Sequence, residues 1–186
     1  LGLVNTISAD TIGIGRQKAG ATLQFNSIYA NTAPYPSLTL QGFSSSRVSV
    51  MEIGDSLGNT GTTSLSADAD LRGGFVNAAV DILTVGRASS GGTSGTTTGS
   101  IEFDAGTINA NTLNIGFLPA PSTKVGVGTV GVGSNTTIGA AATHRVNSVA
   151  NLGQTPGGTV SSTTSGTLNI TNGTVFANSI VPGTNS

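Results

Sequence analysis

Residues 99–116 (GSIEFDAGTINANTLNIG) recur without a gap as residues 166–183 (GTLNITNGTVFANSIVPG). Both copies begin and end on Gly, and both carry a central Gly, Gly106 or Gly173, followed by Thr. Each has an Ala-Asn pair, Ala110-Asn111 and Ala177-Asn178. Apolar residues fill matching slots: Ile101/Leu168, Phe103/Ile170, Ile108/Val175 and Leu113/Ile180. Internal repetition constrains a fold strongly, because each copy must then be one supersecondary unit. Looser copies end alike: Ile7–Gly15, Val48–Gly54, Val76–Gly86 and Val146–Gly153. The terminal glycines (Gly15, Gly54, Gly86, Gly116, Gly153 and Gly183) give a modal spacing near 30 residues with variable insertions.

Inside a copy, apolar and polar residues alternate, as at Ile101, Phe103, Ile108, Ala110, Leu113 and Ile115. A period of two specifies strands with one buried face. One such unit cannot bury that face alone, whereas stacked units cover one another. Composition agrees: the chain has 28 Gly and as many Thr, few long helix formers, and no 11-residue window of helical period. The expected fold is all-β, a parallel β-solenoid with rungs about 4.8 Å apart. Small Ala110 and Ala177 suit inward corners, and Asn111 and Asn178 suit stacked amide ladders. Ala88–Thr98 and Gln154–Ser165 read as Gly/Ser/Thr-rich loops, and 117–142 departs from the repeat. The competing architecture is a pilin-like β-sandwich, which also gives short strands at regular spacing.

The copies at 99–116 and 166–183 resemble the β-strand repeats of bacterial autotransporter passengers and related large secreted adhesins, with their G-T-L-x-I-x-x-G-T-V-x-A flavour. The resemblance covers about half of the chain. It implies export, a β-helical stalk and a role at the bacterial cell surface, and it brings no catalytic residues with it.

Only 8% of residues are charged and the formal net charge is −1, so no electrostatic footprint for nucleic acid exists. Residues 1–104 hold all eight acids and five bases, while 105–186 hold only Lys124 and Arg145. Charge normally keeps exposed β edges apart, so its absence points to edges covered by another copy. The absence of Cys excludes disulfides and zinc-thiolate sites. No stretch is long and apolar enough for a membrane span. Residues 1–186 read as one β-repeat domain, a mature product or a segment of a larger secreted protein.

Candidate chemistry is sparse. His144 is the only His, no G-x-S-x-G elbow occurs and no acid follows Asp104. A Ser-His-Asp triad therefore lacks its parts, and His144 is expected at the surface or a rung edge. Gly126, Gly128 and Gly131 match G-x-G-x-x-G in form, but neither a helix nor an acid follows. With Val125, Val127, Val130 and Val132 they read as strand and hairpin. Asp68 and Asp70, with Asp55 or Asp81, are the candidate calcium ligands. Arg72 beside them can neutralise the pair instead, or serve with them in a polysaccharide-cleaving β-helix. Asn135, Asn169 and Asn172 stand in N-x-S/T sequons. Tyr29 and Tyr35 offer contacts for a surface glycan or packing on their own rung.

The chain therefore reads as a non-enzymatic structural protein without cofactors, whose main partner is itself. Both ends are repeat-like and lack a polar cap, so Leu3, Ile7, Ile12 and Ile14 at one end, and Leu168, Ile170, Val175 and Ile180 at the other, are the candidate assembly edges. The rivals are a pilin polymerising through its apolar strand at residues 1–14, and a glycan- or ice-binding β-helix.

Overall fold

The computed structural model describes residues 1–17, 19–44, 46–56, 63–88, 95–119, 125–155 and 164–183. The described residues form no helix. Their strands are β1 (Val4–Ser8), β2 (Thr11–Arg16), β3 (Ala21–Gln24), β4 (Ser37–Gln41), β5 (Val48–Asp55), β6 (Leu65–Asp70), β7 (Phe75–Arg87), β8 (Thr96–Phe103), β9 (Gly106–Phe117), β10 (Val125–Val132), β11 (Ser134–Asn135), β12 (Ala140–Gln154), β13 (Ser165–Ile170), β14 (Thr174–Ala177) and β15 (Ile180–Pro182).

The chain shuttles between two sheets. The smaller holds β3, β6, β8, β10 and β13 in that spatial order, and the larger holds the remaining strands. In both, a strand pairs in parallel with its counterparts one pass earlier and one pass later. The long strands β7, β9 and β12 cover in one stretch what β1 with β2, β4 with β5, and β14 with β15 cover in two. Among the described residues neither sheet closes on itself. Antiparallel pairing, on which the pilin-like sandwich depends, is confined among the described residues to β11 with β12.

The sequence repeat is visible in the register. Gly99 pairs with Gly128 and Gly128 with Gly166, so the copies at 99–116 and 166–183 lie two passes apart. Their matching slots form columns: Ile101–Val130–Leu168, Ile108–His144–Val175 and Leu113–Ala150–Ile180. Ile101, Phe103, Ile108, Ala110, Leu113 and Ile115 are all buried. The alternation slips between Ala110 and Leu113, and β12 shifts register at the matching place, between Val146 and Val149. Two sequence expectations change. Val125–Val132 is a single parallel strand rather than a hairpin, because its alternate valines pair with β8 and β13 on either side. Thr96–Thr98, expected in a loop, begin β8 and pair with Leu65 and Ser66 of β6 and with β10; residues 89–94 and 156–163 of the two expected loops lie outside the described residues.

The terminal glycines are fixed by a close approach. Gly15, Gly54, Gly86, Gly116 and Gly153 all have φ between 63° and 74°. They face Ala67, Gly99, Gly128 and Gly166 of the smaller sheet, which are themselves one column. A Cβ on Gly86 would collide with the main chain of Val127 and Gly128, and one on Gly116 with that of Ser165 and Gly166. Gly139 has a similar φ, 72°, but open space around it. Gly139→Ala should therefore cost about 1 kcal/mol from backbone conformation alone, and Gly116→Ala about 3 kcal/mol or more, because overpacking adds to it. Urea unfolding measures both; equal losses would show that the sheets do not meet at Gly116.

Candidate assembly edges and buried polar clusters

At one end of the stack β1, β2 and β3 each have, among the described residues, a partner on one side only, namely β4, β5 and β6. At the other end β13, β14 and β15 pair, among the described residues, only with β10 and β12. The candidate edge residues fall on these strands, except Leu3, which immediately precedes β1. Leu3, Ile7, Ile12, Leu168 and Val175 are half-buried and Ile14 is buried. Ile170 and Ile180 stay more than half exposed, at 54% and 53%. Phe176 and Val181 beside them are also exposed, so the second end presents the more apolar surface. The Phe176 ring lies 4.8 Å from the guanidinium carbon of Arg145, a cation–π contact on the outer face.

Polar side chains stack along the same columns. The Asn111 amide donates to Asp81 Oδ1 at 2.8 Å, and the Asn147 amide donates to Asn111 Oδ1 at 2.8 Å. Arg47 closes this ladder on Asp81 at 2.7 Å. The expected amide ladder thus forms at Asn111; Asn178 instead gives its main-chain N–H to Val146 O. A second ladder runs from Asn151 to Asn114 to Thr84. A third cluster is ionic and built on buried Glu52 and Asp55. Glu52 sits between Arg16 Nε at 3.2 Å and Arg87 Nη1 at 2.7 Å, and buried Asp55 lies 3.7 Å from each of the same atoms. Arg16, Asp55 and Arg87 are one register column, each following a terminal glycine, so this cluster ties three passes together. That position after the glycine was the sequence signal for the cluster.

The candidate calcium ligands are engaged within the protein. Asp70 takes a bidentate contact from Arg72 at 2.7 and 2.8 Å, which holds its carboxyl below the usual range. Arg72 also reaches Glu102 at 2.9 Å. Asp68 accepts from Ser100 Oγ at 2.6 Å, Asp55 belongs to the ionic cluster and Asp81 to the ladder. Among the described residues no three His, Asp or Glu are grouped to hold a metal. An open cleft of about 530 Å³ lies beside Arg72, Glu102 and Asp104, over Gly131 and Gly133. Asp104 is itself engaged by Gly73 N–H and the Asn135 amide. Asn135 is buried, whereas Asn169 is exposed and Asn172 has a φ of 60°. Tyr35 is half-buried and donates to Thr137 O at 2.8 Å, so its loop packs along the chain's own turns.

His144 is not at the surface. It is fully buried, in column with Ile108 and Val175, 6.0 Å from the Phe103 ring, and neither ring nitrogen has a hydrogen-bond partner. Its phase with Ala142 and Val146 was the available signal, since all three occupy the inward positions of β12. Burial lowers its pKa to about 4.

No family model, no curated protein and no solved structure matches this chain.

The buried imidazole sets a pH dependence. The unfolded chain takes up a proton near pH 6.5 and the folded protein only near 4, so His144 costs nothing above 6.5 and costs stability increasingly as pH falls between those values. The loss amounts to roughly 3 kcal/mol by pH 4. Asp70, with its lowered pKa, titrates below that window. Denaturant midpoints from pH 7.5 to 4 should fall more steeply for the native chain than for His144→Leu; parallel curves would contradict this placement.

Proposed function

We propose that this chain is an extracellular structural module, a parallel β-solenoid that self-assembles end to end into a stalk, sheath or filament at the bacterial cell surface. The observation that carries the reading is the pairing pattern: one parallel register extends from pass to pass, and among the described residues the first and last strands each have one unpaired edge. Such edges template the addition of another strand. β1, β3, β13, β14 and β15 contain no charged residue that would oppose it. A contact between two different ends is heterologous and does not close, which gives linear polymers. The carboxylates and the His that an enzyme would use are instead spent on ladders, ion pairs and the core. Parallel pairing throughout the core favours this reading over donor-strand exchange between sandwich subunits.

Negative-stain electron microscopy of the purified chain over a range of concentrations should show unbranched filaments that lengthen with concentration. Removing residues 1–14 should shorten or weaken them, because β4 and β5 then become the end edge, whereas a donor-strand pilin would lose polymers altogether. Dispersed particles of constant size at high concentration would refute self-assembly.

A further inference from the structure

The column register names the contact that such an assembly would make. One column on the outer face reads Thr6–Thr39–Asn77–Thr107–Thr143–Thr174, with Thr at both ends. The inward column beside it begins at Ile7 and finishes at Val175 through Leu40, Ala78, Ile108 and His144. A third begins at Ile12 and finishes at Ile180, and in the smaller sheet a fourth begins at Leu23 and finishes at Leu168. In these four columns the two ends are the same type of residue, hydroxyl with hydroxyl and branched apolar with branched apolar, whereas the column from Gly13 ends on Val181. A further pass laid on β14 would thus meet the residues it would meet inside the stack, if that pass were β1.

We propose that the partner of the β14 and β15 edge is the β1 and β2 edge of a second copy, joined in the native register of the larger sheet, with Thr174 against Thr6, Val175 against Ile7 and Ile180 against Ile12; the smaller sheet, five strands deep against six, does not bring β13 and β3 into contact there. This rests on the self-assembly reading and adds its polarity and register. The joint buries Ile180, exposed in the single chain, under an apolar neighbour of its own column. Register is well specified here, since a slip of one residue would turn Val175 and Ile7 to opposite faces. Pro182 has no N–H to give, so the β15 contact is one hydrogen bond short and β14 on β1 carries the register.

The chain has no Cys, so paired cysteines report the contact directly. Thr6 and Thr174 are exposed and five passes apart, about 24 Å on one chain at ~4.8 Å per pass. A disulfide between them can therefore form only between copies. In the joint their Cα atoms come within about 5 Å, inside disulfide range. Ser8→Cys with Thr174→Cys places the pair about 8 Å apart in the same joint, beyond that range. Oxidised Thr6→Cys/Thr174→Cys protein should give a non-reducing gel ladder of dimers, trimers and higher multimers that collapses to monomer on reduction, and the Ser8 control should not. Circular dichroism confirms that both double variants keep the strand signal of the native chain. Filaments with no ladder, or with equal ladders from both pairs, would overturn the register and leave self-assembly standing. Monomers with no ladder would overturn both, as they would if the edges were covered by a cap of another kind.

Discussion

The fold depends on two sheets touching backbone to backbone. Along one corner the larger sheet brings Gly54, Gly86, Gly116 and Gly153 against Gly99, Gly128 and Gly166 of the smaller, with no room for a Cβ on either side of the tightest pairs. Gly15 meets Ala67 in the same way. That contact sets where each pass turns, and therefore which residues fall into which column. Every other regularity follows from it: the inward apolar columns, the amide ladders and the ionic cluster one residue past the glycines. A chain lacking these glycines would have to separate its sheets at the corner and lose the shared core.

This constraint was readable because glycine leaves a clear mark in sequence. The terminal glycines, the alternation around Ile101–Ile115 and the two aligned copies all reappear as columns. The pairing order did not come from the copies alone, since 99–116 and 166–183 are separated by a pass whose sequence drifts: Gly128 keeps the column, but His144 and Ala150 replace aliphatic residues. His144 was misplaced for that reason. Residue type argued for the surface, and only its phase with Ala142 and Val146 argued for the interior. The ionic cluster was hidden differently, because Arg16, Glu52, Asp55 and Arg87 are far apart in the chain and meet only once passes are stacked. The edge residues were legible as apolar strand ends, and their pairing across columns required the register.

Polar groups in this protein specify position. Removing one partner from a buried pair leaves an uncompensated charge, so the arrangement Arg16–Glu52/Asp55–Arg87 penalises any slip between the first three passes. The ladders at Asp81–Asn111–Asn147 and Thr84–Asn114–Asn151 do the same for later passes with amides, the first of them anchored on the Asp81–Arg47 ion pair. Charge thus holds the early passes, and amides hold the nearly uncharged later ones. Of the outermost strands β2 carries Arg16 of the ionic cluster, whereas β1, β3, β13, β14 and β15 carry neither device, which leaves their register to apolar matching.

If the passes are interchangeable stacked units, one of them can be removed whole. Deleting residues 88–117 tests this most directly. This removes β8 and β9, one full pass, and joins Arg87 to Leu118, which occupies the position after the pass as Ala88 does in the native chain. Arg87 stays in place over Glu52 and Asp55, and β7 meets β12 with Val80 over Val146 and Leu83 over Ala150. The account predicts a shorter protein that still unfolds cooperatively in urea, with a β-type circular dichroism spectrum and a reduced midpoint. An unfolded or aggregated product would contradict it, since a fold built from non-equivalent strands cannot lose two central ones and close again.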